Sequence, residues 1–307
     1  MSTPRVAVVL NPISGIGRRR ESGTVLAERV SAQMVALGMD PYVALTEGIG
    51  HARALALDAV RGGARVVVAW GGDGTVNEVA SSLVHSDVAL AIVPAGSGNG
   101  LARMLGIPFD PAAALRIAES GTERVIDVGD FDGRLFVNIA GVGLDAAIAH
   151  RFAENGVGRR GFRRYAELTL KELWGFTPRA CELRGEGWSE RVRPLLMAFA
   201  NGREYGNGAT IAPSAVLDDG LLDVVVVGDR SLGAVLWQLP KLFSGRAPEV
   251  PGVTIRQSSE LEIASEGDIP YHVDGEPCLG GPVLRVRVVR AALRVMAPPP
   301  MPQSTKR

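Results

Sequence analysis

The sequence predicts an α/β domain with a doubly wound, mostly parallel sheet, followed by a β-rich antiparallel sandwich. Three observations predict it. Up to about residue 127, continuous apolar runs each pass through a glycine-rich or polar loop into a helical pattern, the signature of parallel strands covered on both faces. After about residue 128, short strand-like runs separated by turn residues take over. The chain has 307 residues, enough for two full cores.

In chain order, the first half reads as strands over 5–10, 41–45, 65–70 and 88–93. Helices are expected over 22–37, 51–61 and 75–84, with a short one over 101–105. The second half reads as strands over 134–140, 191–200, 222–227, 253–256, 261–264, 269–273 and 283–289, with one longer helix near 162–176. The expected organisation is therefore an α/β domain over 1–128 and a β-rich domain over 129–289. A segment of about 290–299 packs back on the first domain, and a proline-rich, disordered tail covers 300–307.

Composition narrows the function. Thirty-three basic and 33 acidic residues balance, so no global charge points to nucleic acid. Cys181 and Cys278 have neither pairing nor metal spacing, which fits a reducing compartment. No run of about 18 apolar residues predicts a spanning helix. The chain enters a strand almost at once, leaving no room for a signal peptide, and a cytoplasmic location is expected.

The chemistry concentrates in loops at the expected strand ends, where open α/β sheets bind ligands. Gly71-Gly72-Asp73-Gly74-Thr75 ends an apolar run and opens a helix. Its glycines admit a bulky anion, and the helix would aim N–H groups at it. Thr75 and Glu78 also fit a capping box. Gly96-Ser97-Gly98-Asn99-Gly100 repeats the pattern, with Ser97 and Asn99 as side-chain donors. The loop from Asn11 to Gly17 and the Thr46-Glu47-Gly48 strand end lie on the same edge, and Arg18, Arg19 and Arg20 beyond the first could clamp a phosphoryl group. Asp218-Asp219-Gly220 suits either a hard cation such as Mg²⁺ or a polar turn, and Asp274-Gly275 reads as a hairpin. Walker, nucleophile-elbow and protein-kinase signatures are absent from the sequence, and its four histidines lack metal spacing.

Together LNPISGIGR, Thr46-Glu47, GGDGTVNEVA, VPAGSGNGLAR, NIAGVGLDA, APSAVLDDGLLD and HVDGEP, in that order over about residues 5–290, resemble the diacylglycerol kinase catalytic-domain family, which includes bacterial lipid kinases and sphingosine kinases. GGDGT alone is shared with NAD kinases; the DDGLLD and DGEP segments favour a lipid kinase. The resemblance implies an NAD-kinase-like nucleotide domain, ATP in the interdomain cleft, and transfer of its γ-phosphate to a hydroxyl of a diacylglycerol-like or sphingoid lipid. It places Asn11, Thr46, the Gly71–Thr75 loop, Gly96, Ser97 and Asn99 at ATP, and Mg²⁺ on Asp219 with carbonyls of Val216 and Leu221. It implicates Asp274 first and Glu276 second as general base, with Asp73 as rival, and puts Asp145 near the polar head of the substrate. On that assignment Asp274→Asn is expected to fold normally and lose most turnover.

The lipid must come from a membrane surface, and Gly158–Phe176, rich in arginine and aromatics, is a segment that would rest on one. A homodimer stays open. The competing classes are a soluble-substrate kinase of the NAD kinase type and a non-catalytic nucleotide or lipid sensor.

Overall fold

The computed structural model describes residues 5–14, 22–154, 175–228 and 232–299. Arg18–Arg20, most of the arginine-aromatic segment and the tail beyond 299 lie outside the described residues.

Four parallel strands, β1 (Arg5–Leu10), β2 (Asp40–Leu45), β3 (Val66–Gly71) and β4 (Ala89–Pro94), run in the order β2-β1-β3-β4. Their connections are helices α1 (Gly23–Ala36), α2 (His51–Arg61) and α3 (Asp73–Leu83); α4 (Gly100–Met104) and α5 (Pro111–Ser120) follow β4. Local chemistry sets the ends. Ser22 Oγ accepts from Val25 N at 3.3 Å to cap α1, and Asp110, ahead of Pro111, caps α5 through Ala113 N at 2.8 Å. β3 and β4 are buried almost throughout because helices cover both faces.

Beyond α5 come β5 (Thr122–Phe131), β6 (Arg134–Phe136), β7 (Ile139–Gly143), α6 (Leu144–Glu154), β8 (Cys181–Gly185), β9 (Trp188–Val192) and β10 (Pro194–Ala200). Then follow β11 (Leu222–Gly228), α7 (Leu232–Leu242), β12 (Val253–Ser258), β13 (Glu260–Ser265), β14 (Ile269–Val273), β15 (Glu276–Gly280) and β16 (Val283–Ala297). A six-stranded antiparallel sheet runs β12-β11-β10-β7-β14-β15. The first sheet continues as β4-β16-β13-β8-β9, with β5 on β16 and β6 on β5.

Two expected strands are each two strands. Residues 134–140 divide into β6 and β7, and 191–200 into β9 and β10. Both breaks carry the chain from one sheet to the other: β6 and β9 belong to the ten-stranded sheet, β7 and β10 to the six-stranded one. At the first break the backbone N–H groups of Val137 and Asn138 leave the ladder for a carboxylate. At the second, Pro194 has no N–H to offer.

Strand β16 is longer than its pattern predicts. Its first part pairs with β13 from Val283 to Arg287, and near its end Val295 lies parallel to Leu90 of β4. Between them the register against β5 shifts after Val289, where Ala291 has φ +46° and donates its N–H to Asp127 Oδ1 at 2.7 Å. The other oxygen of this buried Asp127 accepts from Gly220 N at 2.7 Å, tying the 218–220 turn to the same ribbon.

Phe131, Phe136, Phe199 and Tyr271 fill the space between the two sheets, Phe131 meeting Phe199 edge-on at 5.3 Å. The outer face of the six-stranded sheet carries a second core around Ile139, Leu144, Ile148 and Leu242, contributed partly by α6 and α7. Among the described residues, no helix is long and apolar enough to cross a membrane.

Candidate active site

The two glycine loops are one structure. A Cβ on Gly96 would sit 2.5 Å from the Gly72 Cα, so the backbones touch where neither residue has a side chain. Asp73, the first residue of α3, locks them. Its Oδ2 accepts from Asn99 N at 2.9 Å and its Oδ1 from Gly100 N at 2.8 Å, so Asp73 satisfies two backbone donors where α4 begins. Asn99 sits at φ +56° and closes its own loop, its Oδ1 accepting from Gly96 N and its Nδ2 donating to Gly96 O. Asp73 and Asn99 therefore spend their side chains inside the protein.

The other members of the set differ in exposure, Gly71 and Thr75 being buried and Gly74 half-buried. Ser97 is exposed. Gly74 has ordinary helical backbone and nothing within 4 Å of where a Cβ would stand, so no protein atom demands glycine there. Asn11 donates its Nδ2 to Thr75 Oγ1 at 3.1 Å, and Thr46 N donates to Leu10 O at 2.9 Å, which keeps the first two strand ends beside the GGDGT loop. Gly71 packs tightly on Thr75, where a Cβ would come within 2.6 Å of the Thr75 Cβ.

The capping box at Thr75 and Glu78 does not form. The helix starts at Asp73 with Gly72 as N-cap, so Thr75 is already inside it. Glu78 instead reaches across to α2, accepting from Gly50 N at 2.8 Å and Arg53 N at 3.3 Å.

Asp274 and Gly275 make the β14–β15 turn, with φ +48° and +87°, and the Asp274 carboxylate folds back beneath it. Its Oδ2 accepts from Asn77 Nδ2 at 2.7 Å and Val137 N at 2.8 Å, and its Oδ1 from Asn138 N and Ile139 N, both at 3.0 Å. Burial pushes its pKa up, while the donors from Val137, Asn77, Ile139 and Asn138 oppose the shift. Glu276, two residues on, is half-buried, and no donor approaches its carboxylate among the described residues. Burial raises its pKa first and Glu78 next; Arg134 opposes, Asp274 adds a further rise, and Arg53 opposes.

Asp145 lies in the first turn of α6 and is buried, as is His272, while Tyr205 is half-buried. Its Oδ2 accepts from Tyr205 Oη at 2.9 Å and faces His272 Nε2 at 3.1 Å. His272 Nδ1 accepts from Gly275 N at 3.3 Å, which leaves the ring proton on Nε2 to donate to Asp145. The network thus runs from α6 to the Asp274 turn.

At the 218–220 turn, Asp219 is exposed and one of its oxygens accepts from Leu221 N at 3.0 Å. Asp218 pairs instead with Arg124 at 3.2 Å. Val216, Asp219 and Leu221 lie together along this turn, but no group of three or more His, Cys, Asp or Glu side chains is placed to hold a metal among the described residues. One carboxylate with carbonyls and water is a donor set that a hard, hydrated cation accepts.

Further contacts bring the second half of the chain onto the 96–100 loop: Asn207 N donates to Gly98 O at 3.1 Å, Gly206 packs on Gly98, and the hydrogen-bonded pair of Asn138 Nδ2 and Glu204 O lies against Gly100. Sequence reading did not single out Asn77 or Tyr205. Asn77 lies four residues after Asp73, on the same helix face, and that spacing was the available signal.

An α/β nucleotide-type domain with paired glycine loops facing a β-sandwich carboxylate defines a kinase fold. Residues 5–131 match the diacylglycerol kinase catalytic domain, and 138–297 match the YegS C-terminal NAD kinase beta sandwich-like domain. The chain is 34% identical over 270 residues to a protein of Klebsiella pneumoniae named "Probable lipid kinase YegS-like" and 32% identical over 271 residues to "Lipid kinase YegS" of Escherichia coli, in each case covering 86% of this chain and 89% of the relative. A diacylglycerol kinase from Bacillus anthracis shares the fold at TM-score 0.74 and 19% identity, over 97% of this chain and 98% of the other. An ATP-complexed NAD kinase from Archaeoglobus fulgidus does so at 0.53 and 13% identity, over 95% and 93%. The chain belongs to the diacylglycerol kinase catalytic-domain family, with a YegS-type second domain, and it is a lipid kinase.

Proposed function

We propose that the enzyme transfers the γ-phosphoryl group of ATP to a hydroxyl of a membrane lipid, diacylglycerol-like or sphingoid, in the cleft between the glycine loops and the β14–β15 turn. One observation carries the catalytic assignment: Glu276 presents a half-buried carboxylate with no donor on it, while Asp274 accepts four hydrogen bonds. A carboxylate with four donors is a poor base because each lone pair it would use is occupied. Glu276, with its pKa raised, is the better proton acceptor for the lipid hydroxyl. Asp274 then holds the turn that aims Glu276.

Gly74, Ser97 and Thr75 would receive the phosphates, Asn11 and Thr46 the rest of the nucleotide. Gly71, Gly72, Asp73, Gly96 and Asn99 would keep the two loops in register. Mg²⁺ would supply charge neutralisation for the transferring phosphoryl group. Asp219 with carbonyls of Val216 and Leu221 would hold a separate, structural Mg²⁺, which that donor chemistry fits. Asp145, oriented by Tyr205 and His272, would sit on the acceptor side. The two family matches fall on either side of residues 132–137, which we take as the domain junction, with the end of β16 returning to the first domain. A cytoplasmic enzyme working at the inner membrane face follows from this chemistry.

The test incubates pure protein with radiolabelled ATP, Mg²⁺ and vesicles holding diacylglycerol or sphingosine, then extracts with organic solvent. Label in one extracted lipid is expected; label confined to a water-soluble nucleotide would overturn the reading in favour of a soluble acceptor.

A further inference from the structure

Asn77 lies one turn after Asp73 on α3, so the two side chains share a helix face, about 6 Å apart along the axis. They hold different parts of the site. Asp73 takes the backbone donors of the 96–100 loop. Asn77 is buried and donates from Nδ2 to Leu135 O at 3.0 Å and to Asp274 Oδ2 at 2.7 Å, while its Oδ1 accepts from Ser81 Oγ at 3.4 Å. Leu135 O can only accept, so the amide nitrogen and not the oxygen must face it.

The four donors on Asp274 come from two places. Val137, Asn138 and Ile139 offer backbone N–H groups where β6 gives way to β7, and β7 pairs directly with β14. Those three hold the carboxylate within its own half of the chain. Asn77 is the one donor of the four from the helix that the GGDGT loop opens. Val273 pairs with Glu276, so the turn consists of Asp274 and Gly275 alone, both at positive φ. A two-residue loop has no slack. Where the Asp274 carboxylate is held therefore decides where the Glu276 side chain starts.

We propose that Asn77 is a positioning residue for phosphoryl transfer. It ties the Asp274 turn to α3 and so sets the distance between Glu276 and the glycine loops, whose register Asp73 fixes one turn earlier on the same helix. The inference rests on the reading of Glu276 as proton acceptor. A side-chain amide does not titrate, so Asn77 acts only through Asp274 and Glu276. Misplacing a reacting group by about 1 Å costs about a hundredfold in rate, which is the scale of effect expected from losing this bond.

The first measurement is a kinetic cycle of Asn77→Ala, Glu276→Gln and the double variant, on vesicles holding diacylglycerol or sphingosine, whichever the native enzyme phosphorylates. Asn77→Ala should lower kcat about a hundredfold with the KM for ATP unchanged. In the Glu276→Gln background it should lower kcat no further, because no base is left to position. A purely structural role predicts an equal loss in both backgrounds. That equal loss, an unchanged kcat or a raised KM for ATP would each overturn the proposal. Should the alanine variant fail to fold, Asn77→Ser, which leaves a hydroxyl in the space, replaces it in both measurements.

The second measurement is hydrogen exchange of the intact protein, read by mass spectrometry. Peptides covering 137–139 and 274–276 should exchange about tenfold faster in Asn77→Ala, a typical effect of losing one charge-assisted hydrogen bond, while the 96–100 loop keeps its native rate. Unchanged exchange in the hairpin would overturn the positioning role. If Glu276→Gln keeps native turnover, or neither lipid is labelled, the reading of Glu276 or of the lipid acceptor has failed instead. The exchange rates then still judge whether Asn77 holds the turn.

Discussion

Asn77 donates its side-chain amide to Asp274 Oδ2 at 2.7 Å, joining residues 197 positions apart across the interdomain cleft. Asn77 sits on the helix that the GGDGT loop opens, and Asp274 turns the hairpin that carries Glu276. The bond therefore links the helix that follows the GGDGT loop to the β14–β15 hairpin.

Asp274→Asn should both unfold more easily and lose activity, contrary to the normal folding that the sequence alone predicts. An amide nitrogen would face two backbone N–H groups, and leaving them unpaired costs about 2–4 kcal/mol in total. A fall of several degrees in melting temperature checks this; a melting temperature equal to the native protein's would return Asp274 to the role of base.

Glu276→Gln should keep the native melting temperature and lower kcat by about 10²–10⁴, the usual range for removing a general base. The native acid limb lies above the ordinary glutamate value of 4.5 because the Glu276 pKa is raised. Activity therefore rises with pH through that folded-state pKa, and the limb should vanish in Glu276→Gln. Persistence of the same limb in the variant would exclude Glu276.

The glycines of the two loops should separate into two groups. Gly96→Ala drives a methyl group to 2.5 Å from the Gly72 Cα and should destabilise the fold. Gly74→Ala meets no protein atom, so it should fold natively and raise the KM for ATP. Equal ATP kinetics in Gly74→Ala would mean that no phosphate approaches there.

Tyr205→Phe should remove one of three donors to the buried Asp145 carboxylate, at a stability cost of about 1 kcal/mol. A larger effect on acceptor KM than on ATP KM would place Asp145 at the lipid. Equal effects on both would confine the network to a structural role.

Cys181 should alkylate slowly. Burial pushes its thiol up from 9.0 to about 11, so near neutral pH the thiolate fraction is about a hundredfold below that of an unperturbed thiol. Iodoacetamide labelling followed by mass spectrometry should show Cys181 reacting far more slowly than a free thiol at the same pH.

The sequence by itself determined the α/β half. Continuous apolar runs, glycine-rich exits and helical periodicity are local signals, and strands β1 to β4 with helices α1 to α3 lie where those signals put them, within a few residues. Asp274-Gly275 likewise specified a hairpin from two residues. Only the tertiary structure decided which carboxylates are spent. Asp73 and Asp274 look like catalytic acids in a motif, but each is occupied by backbone N–H groups from segments far away in the chain. The breaks at Val137 and Arg193 were hidden for the same reason: each apolar run continues in sequence while the chain changes sheets. A side chain's chemical type is written in the sequence. Whether its lone pairs remain available depends on which backbone donors the two packed sheets bring to it.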